Sequence, residues 1–112
     1  MEPKLRVKFF ATERGKEPVK EWLKQLNKTE RKIIGEDLKT IQFGWPLGMP
    51  LVRSLENKIW ELRSTIPKGI ARVLFIAKNE QIILLHAFIK KTQKTPKNEL
   101  EIAKKRSKQA GD

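Results

Sequence analysis

Three apolar, branched runs follow one another between residues 59 and 91, and they constrain this chain more than any other feature. They read Ile59-Trp-Glu-Leu-Arg63, Gly69-Ile-Ala-Arg-Val-Leu-Phe-Ile76 and Gln81-Ile-Ile-Leu-Leu-His-Ala-Phe-Ile-Lys-Lys91. Each has the length and the branched and aromatic content of a strand, and none is long enough to cross a bilayer. The connections are short: Pro67-Lys68-Gly69 breaks the first, and Lys78-Asn79-Glu80-Gln81 makes a tight hairpin turn. Strands are therefore expected at about 58–64, 70–78 and 81–90. Strands linked in this way pair antiparallel, so the centre of the fold is a curved antiparallel sheet, and everything else must pack on it.

Strand alternation sorts the side chains by face. Trp60 and Leu62 share one face and look like core, while Ile59, Glu61 and Arg63 share the other. Arg72 stands with Ile70, Leu74 and Ile76. An arginine in so apolar a run is unusual, because burying an unpaired guanidinium is expensive. Two readings fit. Either Arg72 makes a cross-strand ion pair with Glu61, or it lines a concave surface open to solvent. The third run ends in Lys90 and Lys91, with Lys94 and Lys97 just beyond. These lysines are either an ordinary solvated run or a positive edge held in place by the strand before them. His86, among Leu85, Ala87 and Phe88, is the one side chain whose ordinary pKa lies near neutrality. A lone histidine there is more often a satisfied structural residue than a catalyst.

The rest of the chain supplies the covering layer. Residues 5–10 alternate with period two, and the basic side chains between the apolar ones suit a strand at or near a sheet edge. Pro18 fits the first turn of a helix, and Val19, Trp22, Leu23 and Leu26 give that helix a core face. Asn27 and Glu30 are spaced as a capping box, with Thr29 a competing cap. The helix that follows runs to about Phe43 with Ile34, Leu38 and Ile41 as its stripe, Gly44 as its stop and Pro46 beyond. The two helices read as a hairpin with a short connection. Residues 44–57 form a Gly/Pro-rich connector with room for a short strand at 51–55. Pro96 opens a last helix whose inner face is Leu100 and Ala103, with Ile102 beside them. Lys104, Lys105, Arg106 and Lys108 crowd its end, and the tail after about residue 107 is expected to fray. Strand, two helices, strands, then a helix, with the helices to one side of the sheet, describe an α+β fold in one domain spanning 1–112.

Composition narrows the chemistry. Twenty-five Lys and Arg against thirteen Asp and Glu give a net charge of +12, which favours nucleic acid, an anionic surface or an acidic partner. Without cysteine there is no disulfide framework or thiolate metal site, and one histidine cannot make a multi-histidine site. No bound cofactor is expected, nor a membrane partner, and the charged start lacks a signal-peptide apolar core, which suits the cytoplasm. Phosphate-loop, His-Glu-x-x-His, nucleophile-elbow and dinucleotide glycine motifs are all missing. Chemistry on this chain must therefore rest on Arg and Lys, which can stabilise charge on a phosphate in flight. Ribonuclease chemistry driven by the substrate's own 2′-OH, without a metal, fits that set. A lysine could act as base there only if burial or cationic neighbours lowered its pKa.

At these residues the chain resembles the RelE/ParE toxin superfamily, and in particular its HigB-like, phage-derived branch. The resemblance is carried by Ile59-Trp-Glu-Leu-Arg63, by Ala71-Arg-Val-Leu-Phe75 and above all by Leu85-His-Ala-Phe-Ile-Lys-Lys-Thr-Gln-Lys-Thr-Pro96, with Val19-Lys-Glu-Trp-Leu23 before them. It covers about residues 5–106. It implies two helices on a curved antiparallel sheet, a short C-terminal helix and a toxin held inactive by a cognate helix-turn-helix antitoxin. In the HigB and RelE branches it implies cleavage of mRNA on the ribosome, and so inhibition of translation. Arg72 matches the arginine thought to stabilise the transition state, Lys91 the basic position after the last strand, and Arg63 a basic position in an earlier strand. On this reading Arg72, Lys91 and Lys94 are the catalytic candidates, and Arg63, Lys90 and Lys97 contact RNA. The chain departs from RelE itself at Ile59 and Glu61, where lysines are found, and in having no tyrosine. The general base is then to be sought among Lys94, Lys91 and His86. ParE relatives share the fold and inhibit DNA gyrase without cleaving RNA, which is the alternative, as is a plain basic nucleic-acid-binding module.

Overall fold

The computed structural model describes residues 4–110. Five strands make one sheet in the order β1-β5-β4-β3-β2, where β1 is Arg6–Phe9, β2 Val52–Ser54, β3 Trp60–Ile66, β4 Gly69–Lys78 and β5 Gln81–Lys90. The run β2 to β5 is antiparallel throughout, as the short connections require. The Lys78–Gln81 turn places Asn79 and Glu80 at φ of 51° and 60°. Two positive φ values in a two-residue turn match the right-handed twist of the strands they join. Gly69, at φ +145°, opens β4 where a side chain would press on Ile89 and Lys91.

One edge differs from the expected antiparallel sheet. β1 pairs parallel with β5, Val7 opposite Ile82 and Phe9 opposite Leu84, so the sheet is mixed. Between β1 and β2 the chain runs through both N-terminal helices and crosses from one edge of the sheet to the other.

Helix α1 (Pro18–Lys24) and helix α2 (Lys28–Gly44) cover one face. The capping box is complete: Asn27 Oδ1 accepts from the Glu30 amide at 2.8 Å, and Glu30 Oε1 from the Asn27 amide at 3.1 Å. The two bonds satisfy two of the orphan donors at the helix start. Val19, Leu26, Ile34, Leu38 and Ile41 pack on Leu62, Val73, Phe75, Ile82 and Leu84 to form the main core. Truncating a residue such as Ile41 to alanine would cost about 2–5 kcal/mol. Gly44 is the last helical residue, and the chain turns out at Trp45 with φ −58° and ψ 139°. The stop is thus one residue later than Gly44 and needs no left-handed residue.

Helix α3 (Lys97–Gln109) lies on the opposite face, where the sequence reading put all helices on one side. Its Ala103 and Leu100 close a second cluster with Ile59, Leu74, Ile76, Ile83 and Leu85. Alternation explains why two cores are needed. Central strands that are apolar on both faces, such as β4, must be covered twice. The helix runs on past residue 107 to Gln109; residues 111 and 112 of the tail lie outside the described part. Among the described residues no helix is long and apolar enough to cross a membrane.

A bulge refines the second face. Leu74 pairs with His86, but Phe75 pairs with Leu84, which leaves Leu85 as an extra residue in β5. Leu85 enters the α3 cluster while the adjacent His86 reaches Glu99 on α3. One inserted residue thus turns two consecutive side chains toward the same helix.

Candidate functional site

Helix α3 covers only part of its face. Beside it, β2, β3 and β4 bring four charged side chains together. The register sets Arg53 opposite Glu61 and Arg63 opposite Arg72, so two arginines occupy a directly paired position. Like charges so placed repel. Glu61 is the one carboxylate of the group, and it is fully buried. Its Oε1 lies 3.7 Å from Arg63 Nε, and its Oε2 accepts from the Thr95 hydroxyl at 2.6 Å.

Arg72 is also fully buried, with 0 % of its surface exposed. None of its three guanidinium nitrogens has a hydrogen-bond partner among the described residues, and Glu61 Oε1 and Arg63 Nε are likewise unpartnered. The sequence left two readings for Arg72, and the structure matches neither fully. Glu61 sits across from Leu74, not from Arg72, and acts on Arg72 at a distance. The surface is not open either. Arg72 lies over the Phe88 ring, 6.0 Å from its centre, an attraction worth about 2 kcal/mol or more when desolvated. Desolvating a guanidinium costs several kcal/mol. Burial therefore pushes the Arg72 pKa down, Glu61 opposes this, and Arg63 and Arg53 add to the depression. The lowered pKa means that this environment disfavours the charged form relative to water.

The segment 91–96 between β5 and α3 is tied across this cluster like a strap. Besides the Thr95 bond, Arg63 donates to the Gln93 side-chain oxygen at 2.9 Å and Arg53 to the Gln93 main-chain oxygen at 3.3 Å. Next to it an open groove of about 510 Å³ is lined by Asp37, Leu51, Arg63, Thr65, Ile70 and Gln93, among others.

The other basic candidates are spread around this centre. Lys90 is exposed at the end of β5, paired with Ile70, and the exposed Lys91 lies with its stem near Gly69 at the β3–β4 turn. Lys94 is exposed on the strap. Lys97 starts α3 and acts on Glu56, away from the arginines. So Arg63 and Arg72 are brought together, Lys90, Lys91 and Lys94 stand on the rim, and Lys97 belongs to the α3 side. His86 is engaged at both ring nitrogens: Nε2 is 2.8 Å from Glu99 Oε1, and Nδ1 is 3.4 Å from Arg106. It anchors α3 to β5.

Three participants were not singled out as site residues in the sequence. Arg53 sits in a three-residue strand inside a Gly/Pro-rich connector. Gln93 and Thr95 are polar loop residues with no pattern of their own. The one available signal was the apolar environment of Arg72, which calls for neighbours.

Residues 21–108 match the family described as phage derived protein Gp49-like (DUF891). That match covers most of the chain, and the protein belongs to this family, a toxin family of toxin–antitoxin systems within the RelE/HigB-like superfamily. Membership implies an antitoxin partner. No curated protein matches the chain at a significant level.

Proposed function

We propose that this toxin is a ribosome-dependent endoribonuclease that cuts mRNA and so stops translation. The observation that carries this reading is the buried, unpartnered guanidinium of Arg72 beside Arg63 and Arg53. A protein keeps such a group at a cost when its partner is a ligand, and a cluster of cations suits a phosphodiester. In the reaction the 2′-oxygen forms a bond to the adjacent phosphorus, the bond from phosphorus to the 5′-oxygen breaks, and a cyclic phosphate results. The 2′ proton leaves to a base, and a proton returns to the 5′-oxygen. Arg72 stabilises the charge that grows on the non-bridging oxygens, and Arg63 holds the phosphate. Lys90, Lys91 and Lys94 on the rim attract and orient the RNA, and Lys97 serves as a more distant contact. His86, with both ring nitrogens engaged, is not free to act as base, and the exposed Lys94 and Lys91 can return the proton to the 5′-oxygen.

The test is a purified translating ribosome with mRNA in its decoding site. Cleavage is expected, with products ending in a 2′,3′-cyclic or 3′-phosphate. Arg72→Ala should slow it by about 10²–10³-fold, the scale of losing one transition-state donor, while remaining folded by circular dichroism. Intact transcripts together with inhibited supercoiling would instead identify a non-enzymatic gyrase inhibitor. Binding of RNA with neither effect would identify a plain nucleic-acid-binding module.

A further inference from the structure

Gln93 holds two arginines with two oxygens of one residue. Its side-chain oxygen accepts from Arg63 at 2.9 Å and its main-chain oxygen from Arg53 at 3.3 Å. Both guanidinium groups thus already donate to an oxygen from outside their strands, as they would to the two non-bridging oxygens of a phosphodiester. Glu61 is the single anion among Arg53, Arg63 and Arg72 and is already shared with Thr95. The cluster thus keeps a positive excess of two; Arg72 has no hydrogen-bond partner among the described residues, and Arg63 Nε has the 3.7 Å ion pair with Glu61 but no hydrogen bond.

We propose that Arg53, Arg63 and Arg72 form one phosphodiester site, and that Gln93 occupies it in the free protein as a neutral stand-in which the RNA backbone must displace. This rests on the nuclease reading and adds Arg53 as a ligand-binding residue and the 91–96 strap as a latch. The chemistry favours exchange. A neutral amide oxygen bonds a guanidinium less strongly than an anionic phosphate oxygen does. The excess of two charges also suits a phosphodiester, whose charge rises from one to two as the 2′-oxygen adds, better than a single carboxylate of an acidic peptide. When Gln93 lets go, Arg53 and Arg63 lose the partners that the strap provides, and the strap keeps its Thr95 tie to Glu61.

The sign of one substitution separates a latch from an ordinary RNA contact. The probe is a short single-stranded RNA with 2′-O-methyl groups, which cannot be cut, titrated by fluorescence anisotropy at fixed salt. Gln93→Ala removes the stand-in side chain and should tighten binding by about tenfold, the low end of the worth of one hydrogen bond to a charged group. Gln93→Glu puts an anion on the same arginines and should weaken binding, and Arg53→Gln should weaken it as well. Unchanged or weaker binding by Gln93→Ala would overturn the latch. Unchanged binding by Arg53→Gln would remove Arg53 from the site. Polyglutamate binding tighter than the RNA, and lost in Arg53→Gln, would assign the site to an acidic protein segment and overturn the proposal. Because the probe is not cut and no ribosome is present, these outcomes do not depend on cleavage. A latch confirmed here with no cleavage on the ribosome would count against the nuclease alone, and cleavage with a failed latch would count against the latch alone.

Discussion

Two halves of one sheet face handle charge in opposite ways. Around α3 the charges have partners. Lys104 is bonded to Glu56 and reaches Glu101 at 3.4 Å, and His86 meets Glu99. Arg106 donates to the Leu85 carbonyl at 2.8 Å and lies 5.8 Å from the centre of the Phe10 ring. Under the strap, Arg72 has no hydrogen-bond partner, and one atom each of Glu61 and Arg63 is also unpartnered among the described residues. Burial lowers the pKa of Arg106 and of Arg72 alike, so the environment is not the difference. The difference lies in the partners: Arg106 fastens a helix through the Leu85 carbonyl, whereas Arg72, on the proposed reading, waits for a ligand. A polar group that serves the fold is satisfied by the fold, and one that serves a ligand is left waiting for it.

The largest effect that would sharpen this contrast is expected at Glu61. Glu61→Gln keeps the shape and an acceptor for Thr95 but removes the only anion among three arginines. Breaking a buried pair from one side costs about 3–5 kcal/mol, so urea denaturation should show a clear loss of stability. A change of only a few tenths would mean that the arginines do not depend on Glu61. On the α3 side, Arg106→Met leaves the carbonyl of the fully buried Leu85 without its donor. A loss of about 1–3 kcal/mol is expected in the same measurement. A neutral result would place Arg106 among the dispensable surface charges.

The smallest effect is the acid response of the exposed Glu56–Lys104 tie. Lys104 holds the Glu56 carboxyl below the ordinary carboxylate range and is itself raised by Glu56. The contribution of Glu56 is therefore whole above that range and is lost as pH falls through its lowered value. Glu56→Gln should lower the melting temperature slightly at neutral pH, and the gap to the native chain should close in acid. A gap that persists in acid would contradict this.

Much of the frame was legible because it is local. Asn27 and Glu30 marked a helix start that the structure bears out in both capping bonds, and Ile34, Leu38 and Ile41 marked its buried stripe. The three central strands and both turns followed from apolar runs broken by Pro67, Gly69 and Asn79. What escaped is relational. Period two in residues 5–10 says which side chains point together and nothing about direction, so the parallel pairing of β1 was hidden. The bulge at Leu85 depends on counting one strand against another, and no residue type signals it. The position of α3 across the sheet turned on whether the second face of β4 needed a cover, and Ile76 and Leu74 show that it did. At the site, alternation put Arg63 and Arg72 on the face that they occupy. It could not show that they are directly opposite one another, or that Gln93 and Thr95 fold back over them.

The central claim is that Arg72 is retained for a ligand and against the interest of the fold. Arg72→Met tests it in one preparation, by thermal melting and by cleavage of mRNA on the ribosome. Buried ion pairs replaced whole by apolar side chains are often neutral or stabilising by about 1–4 kcal/mol, and here Glu61 keeps Arg63 as its partner, so removing Arg72 alone leaves no charge unpaired. The expected result is a melting temperature equal to or above that of the native protein, with cleavage abolished. A clear fall in melting temperature, or cleavage at the native rate, would contradict it.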